Sequence, residues 1–174
     1  MVEIVPLGQV ADADVEALLD RAFEPGRRAR VSYRIRAGMT PIAALCFGAM
    51  EAGRLAGSIQ AWPASLVEDD GRAWPLVMVG PVAVDPAVQG SGIGQSLMTR
   101  MLAAAAEIGL DGAMTLIGDP EYYGRFFGFT ADRTAKWTAP GPVEPRRLLA
   151  RGADVPAVAG MLGPRVVAVA EPAR

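Results

Sequence analysis

The chain has 174 residues, with 17 basic and 19 acidic side chains, a formal net charge of −2, one cysteine and no histidine. Near-neutral charge supplies no global field for nucleic acid or an anionic membrane. Without histidine there is no Ser-His-Asp or Cys-His catalysis and no His-ligated zinc, and lone Cys46 excludes an intramolecular disulfide and a cysteine-rich metal site.

The start, Met1 to Asp14, has neither a basic nor an apolar leader region, so no secretory signal is expected and the chain is assigned to the cytoplasm. Glu3 to Leu7 reads as a first strand. Ala11 to Phe23 repeats apolar residues at Val15, Leu18, Leu19 and Phe23, a helical spacing. Arg27 to Arg36 holds five arginines and no acid, which suits either a solvated loop or a grip on an anionic substrate or the adenosine phosphate of a nucleotide. Pro41 to Met50 and Leu55 to Trp62 flank Glu51-Ala-Gly-Arg54, a hairpin signal. Cys46 falls mid-strand between Leu45 and Phe47, where a small buried thiol fits better than an acyl carrier. Glu68-Asp-Asp-Gly71 turns the chain into Trp74 to Val84, which completes an antiparallel meander. The longest apolar stretch, Leu76 to Val84, spans nine residues and is too short for a membrane helix.

The pattern then changes. Gly90 to Gly94 is glycine-rich, and Ile93, Leu97, Met101, Leu102, Ala105 and Ile108 follow at helical spacing up to a capping Gly109. Asp111-Gly112 leads into Ala113 to Ile117, so Val82 to Ile117 forms a strand–loop–helix–strand crossover. Tyr122 to Phe127 predicts a short helix, with Phe129 opening a further strand. Pro140 to Pro145 precedes two candidate edge strands, Arg147 to Arg151 and Arg165 to Val169. No repeat or second boundary interrupts the chain. One α+β domain over 1–174 is expected, with 140–174 as a C-terminal extension packed on it.

The chemistry concentrates between Val79 and Gly94. Closely spaced glycines at a helix start expose backbone N–H groups and the positive end of the helix dipole, which suits a phosphate or pyrophosphate. A Walker loop needs Gly-Lys-Ser/Thr, but Gln95 follows Gly94; the dinucleotide fingerprint needs Gly-x-Gly-x-x-Gly, but Gly90, Gly92 and Gly94 are evenly spaced. Gln-x-x-Gly-x-Gly fits, at Gln89, Gly92 and Gly94. Here the chain resembles the GNAT superfamily of acetyl-CoA-dependent N-acetyltransferases. Gly80-Pro-Val-Ala-Val-Asp-Pro86 looks like the family's fourth strand, and Gly118 to Phe129 resembles its second motif, a short helix with a Tyr leading into Gly-Phe. The resemblance is strongest over residues 42–131; the wording GDPxYYxRF and the later Pro-Gly-Pro and Arg-Leu-Leu segments look like the YhbS-like group and extend it to about 167.

The resemblance implies a GNAT-like mixed β-sheet flanked by helices: an antiparallel meander plus a parallel pair, the fourth and fifth strands, splayed to hold acetyl-CoA. Trp74 to Val84 and Ala113 to Ile117 would be that pair. The backbone of Val82, Ala83 and Val84 would pair with the pantetheine arm, in the manner of an added strand, and one N–H would stabilise the oxyanion of a tetrahedral intermediate. Gln89, Gly90, Ser91, Gly92, Ile93, Gly94 and Gln95 would cradle the pyrophosphate.

Acetyl would pass directly from acetyl-CoA to an amine, without a metal. Amine acetylation needs a base, because an alkylamine of pKa near about 10 is mostly protonated at neutral pH, and an acid for the leaving thiolate. Tyr123 resembles the family's acid, but Phe126-Phe127 lengthens the usual Tyr-x-x-x-Gly-Phe spacing by one residue and leaves Tyr122 as a rival. Glu51, Glu68, Asp85 and Asp119 flank the relevant strands as turn or cap residues, and none stands out as the base. Trp62, Trp74 and Trp137 suit an acceptor pocket or plain packing. The acceptor is a small-molecule or peptide amine of unspecified identity. A non-catalytic acyl-CoA sensor, an O-acyltransferase or a longer-chain acyltransferase on the same fold stays open, as does a homodimer; no nucleic-acid or membrane partner is expected.

Overall fold

The computed structural model describes residues 1–166. Strands β1 (Val2–Pro6), β2 (Phe47–Glu51), β3 (Arg54–Val67) and β4 (Ala73–Val84) run antiparallel in sequence order. The β2–β3 connection is the expected two-residue turn. Ala52 at φ +49° and Gly53 at φ +76° adopt the left-handed pair whose twist matches the flanking strands.

Helix α3 (Ile93–Glu107) then crosses over to β5 (Met114–Ile117), which lies parallel to β4. On the far side of β5, β7 (Leu148–Arg151) pairs antiparallel, giving the order β1-β2-β3-β4-β5-β7. The distal half of β3 also pairs with β8 (Gly160–Pro164), beside which lies β6 (Trp137–Thr138). Helices α1 (Asp12–Ala22), α2 (Val31–Ile35) and α4 (Pro120–Phe127) complete the fold. No helix among the described residues is long and apolar enough to cross a membrane.

The main core lies between α3 and the sheet. Ile93, Leu97, Met98, Met101 and Ala105 are all at most 3% exposed and pack on Phe47, Ile59, Val79 and Met114. Gly57 allows this approach, since a Cβ there would stand 2.6 Å from Ile93 Cγ2. A smaller cluster seats α1, through Val15, Leu18 and Leu19, on Leu7, Leu55 and Ala83. The head of α3 is fixed on β3 by Ile93 and Leu97 against Gly57.

Three local expectations change. Ala43–Leu45 forms a 3-10 turn, so Cys46 precedes β2 rather than sitting mid-strand; it is nevertheless buried, and burial pushes its thiol pKa up. Phe129 opens no strand: it is a core side chain at 1% exposure, and Thr130 makes a single bridge to Ala150. The last strand among the described residues is Gly160–Pro164, and Arg165 and Val166 lie outside any strand. Arg165 instead donates from Nε to Ala64 O at 2.7 Å and from Nη2 to Leu76 O at 2.6 Å, while positions 167–169 lie outside the described residues.

Candidate active site

The site begins where β4 leaves β5. The parallel pairing covers only Val77↔Met114 and Met78↔Thr115. Beyond it, Leu116 and Ile117 pair with β7 alone, while β4 continues along β3. The β3–β4 register slips here, so that Gly80 and Pro81 face Gln60 alone. Gly80 takes φ +129°, which favours glycine, and Pro81 has no N–H for a ladder bond. The two strands therefore splay, and the wedge is a cavity of about 700 Å³ walled by Met78 to Val82 and Leu116 to Asp119.

Past the bulge, the free edge of β4 is offered by alternate residues. Asp85 N–H donates to Ala56 O at 2.8 Å, so Asp85 and Ala83 direct their backbone groups toward β3. Val82 and Val84 face the other way, and both line a second hollow of about 700 Å³ shared with Gln89 to Gln95 and Tyr122. Ala83 is turned inward, its side chain 1% exposed against the α1 cluster.

The loop between β4 and α3 is built to leave donors bare. Asp85 caps a 3-10 turn by accepting from Ala87 N–H at 3.0 Å, and that hydrogen bond, with Arg21 at 3.1 Å, holds its carboxyl below the ordinary carboxylate value. Gly90 (φ +82°) and Gly92 (φ +86°) then take left-handed conformations. The first intrahelical bond is Ser96 N–H to Gly92 O. None of the seven backbone N–H groups from Gln89 to Gln95 donates to any acceptor among the described residues. Among the described residues no charged side chain lines this hollow. It is an amide cradle at a helix N-terminus, the physical form of an oxyanion site, and it fits a pyrophosphate.

A family model for the acetyltransferase (GNAT) domain matches residues 11–131. The chain belongs to the GNAT acetyltransferase family. Solved GNAT structures agree in fold. The YhbS N-acetyltransferase of Escherichia coli, in complex with CoA, is 22% identical with TM-score 0.71, covering 95% of this chain and 89% of that one. A GNAT acetyltransferase of Brucella melitensis, in complex with acetyl-CoA, is 26% identical with TM-score 0.59, covering 88% and 97%. Comparison with curated proteins gives no match.

The segment that resembles the second GNAT motif forms α4, started by Asp119 as N-cap to Glu121 N–H (3.1 Å) with Pro120 at the first helical position, and ended by Gly128 at φ +72°. It sends its two tyrosines to different places. Tyr122 lines the loop hollow, its hydroxyl 3.6 Å from where a Cβ on Gly94 would stand. Tyr123 lines the wedge, with its ring against Gly118, where a Cβ would come within 2.5 Å of Cε2. Burial, reinforced by Tyr122, pushes the Tyr123 phenol up to about 12; burial also raises that of Tyr122.

Among the four candidate bases, only Asp119 reaches the wedge. Hydrogen bonding with Glu121, and then Arg146 and Arg147, holds its carboxyl below the ordinary value. Glu68 accepts from Trp74 Nε1 at 2.8 Å, Asp85 pairs with Arg21, and Glu51 ends β2 at the hairpin, so these three are remote from it. Glu144, which sequence reasoning missed, is the cavity's other carboxylate; it lies in the Pro-rich stretch, where no periodicity marks a side chain. Trp74 stacks under Arg72 and Trp137 donates to Pro156 O at 3.0 Å, so both serve packing.

The arginine segment is not a solvated loop throughout. Arg27 is 3% exposed and Arg36 is 8% exposed. Together with Arg30, Arg34 and Arg147 they line the wedge rather than the loop hollow. Burial opposes the charge of Arg27, but hydrogen bonds to Glu16, Asp20 and Tyr33 outweigh it and raise its pKa.

Proposed function

We propose that the protein transfers acetyl from acetyl-CoA directly to an amine through a tetrahedral intermediate. The observation that carries this reading is the run of seven unengaged N–H groups at the head of α3, placed beside the free edge of β4. Gln89 to Gln95 would hold the pyrophosphate of CoA, without a side-chain cation. Val82 and Val84 would pair with the pantetheine arm, and an N–H of this edge would face the developing oxyanion, a device often worth about 3 kcal/mol.

Tyr123 is the proposed proton donor to the leaving sulfur, because the residue lines the wedge, with Tyr122 as the alternative from the loop side. A phenol raised to about 12 stays protonated across the working range and acts as a standing hydrogen-bond donor. On the acceptor side, Asp119 and Glu144 are the carboxylates able to take the amine proton, directly or through water. The hydrogen bonding that holds Asp119 low makes it a weak base.

Thiol release from acetyl-CoA, measured with a panel of amines and with mass detection of the N-acetyl product, tests the reaction. Amine-dependent release with a matching product is expected. Stabilisation by acetyl-CoA without release for any amine would make the protein an acyl-CoA sensor, and release with alcohols alone would make it an O-acyltransferase.

A further inference from the structure

We infer that the acceptor carries an oxyanion, a carboxylate or a phosphate, in addition to its amine, and that Arg36 receives it inside the wedge. This rests on the acetyl-transfer reading for the amine, but the oxyanion site stands on its own geometry.

Arg36 is more than nine-tenths buried and lines the cavity. Its guanidinium lies between two rings, 4.0 Å from the Tyr33 centroid and 4.2 Å from that of Trp62. Stacking fixes the plane of the fork and leaves its edge as the binding face. Among the described residues its hydrogen bonding is sparse: Nη1 reaches Gly80 O at 3.5 Å, the limit of a useful bond, and the Tyr33 hydroxyl lends further support to its charge. A guanidinium has five N–H donors, so most of the fork is unused.

No carboxylate lies within 4.0 Å of Arg36 among the described residues, in contrast to Arg27, which holds Glu16 and Asp20, and Arg30, which holds Glu24 at 2.6 Å. Burial lowers the Arg36 pKa against the opposing influence of Tyr33 and, at longer range, Glu16, and Arg27 adds like-charge repulsion. The Trp62 indole N–H in the same stack is also buried without an acceptor. Trp62 does not line the cavity, but a buried charge facing the cavity with most of its donors open is costly unless something completes it. A planar or tetrahedral oxyanion does so, and the fork geometry suits either.

The position also fits the reaction. Gly80, to which Arg36 points, is the bulge residue that opens the wedge, two residues before Val82. The same cavity carries Tyr123, Asp119 and Glu144. An acceptor held by its oxyanion at Arg36 thus has its amine in a cavity that supplies both proton-handling groups.

The test compares matched acceptors in the presence of acetyl-CoA: amino acids against their carboxamides, and phosphoethanolamine against ethanolamine. The anionic member is expected to show kcat/KM higher by on the order of ten- to hundredfold, the range of a hydrogen bond to a charged group. In Arg36→Gln that ratio should collapse toward one, mainly through KM, with CoA affinity kept. The carboxylate and phosphate pairs report which oxyanion is preferred. Equal rates for both members in the wild type, which need no variant, would overturn the inference while leaving acetyl transfer intact. Calorimetric titration of N-acetyl amino acids into the CoA-bound protein separates the two failures. Binding that Arg36→Gln abolishes, without turnover of any amine, upholds the oxyanion site and sinks the transfer reading. No binding and no preference sinks the oxyanion site.

Discussion

The two hollows that meet at β4 have similar volumes, about 700 Å³ each, but opposite walls. The loop hollow presents backbone N–H groups and no charged side chain; the wedge is lined by five arginines against Asp119 and Glu144. Both are suited to negative charge, by different means. Amides at a helix start are neutral and fixed by the fold, so their pull is short-ranged and confined to the first turn. Arginine side chains bring full charge that burial, stacking and carboxylate pairing must manage one residue at a time.

Breaking the loop alone should give the largest effect. Gly92→Glu places a side chain at φ +86° and a carboxylate in the cradle, with no neighbour within 4 Å to clash. CoA affinity should fall by on the order of a hundredfold or more, consistent with losing charge-assisted bonds and adding like charge. Binding of N-acetyl amino acids at Arg36 should persist. Retained CoA affinity by calorimetry would remove the loop from the binding site.

On the wedge side, Tyr123→Phe should lower kcat by about a hundredfold, the lower range for general acid catalysis, with the Kd for CoA near normal. Tyr122→Phe should act in the reverse sense, more on CoA binding than on kcat, because its hydroxyl belongs to the loop hollow. If the two variants exchange these effects, the acid role passes to Tyr122.

A smaller change sharpens the same assignment. Gly118→Ala would drive a methyl to 2.5 Å from Tyr123 Cε2. A loss of about 1–3 kcal/mol in stability is expected, as for an overpacked core, with kcat reduced and CoA affinity kept. Chemical denaturation and steady-state kinetics check it; unchanged kcat would mean that the ring position does not matter.

The smallest signature is in the pH profile. A phenol whose pKa is raised to about 12 keeps its proton throughout, so kcat/KM should climb as the acceptor amine deprotonates and show no fall up to pH 10. A falling limb below pH 10 would show that another group donates the proton.

The difference between the hollows also explains what could be read in advance. The shape of the loop was legible because its requirements are sequence requirements: glycine where φ is positive and a helix pattern directly after. The hairpin at Glu51-Ala-Gly-Arg54 was legible for the same reason. The acceptor side was not. Arg36 is buried because Trp62, 26 residues away, stacks on it, and Glu144 reaches the cavity from a proline-rich segment with no period. Strand β8 is likewise made from Gly-Met-Leu-Gly-Pro, a sequence of weak strand propensity held by pairing with β3. Arginine count suggested an anion grip, but only packing separates Arg28, exposed beside Glu16, from Arg36 in its aromatic sandwich.

The division between an amide cradle and a side-chain cavity is tested most directly by comparing CoA with pantetheine, which lacks the pyrophosphate, in the wild type and in Gly92→Glu. Calorimetry should give CoA an advantage on the order of a hundredfold in the wild type, and that advantage should vanish in the variant while pantetheine affinity stays the same. Equal affinity of the wild type for CoA and pantetheine would contradict the cradle, whatever the enzyme then proved to acetylate.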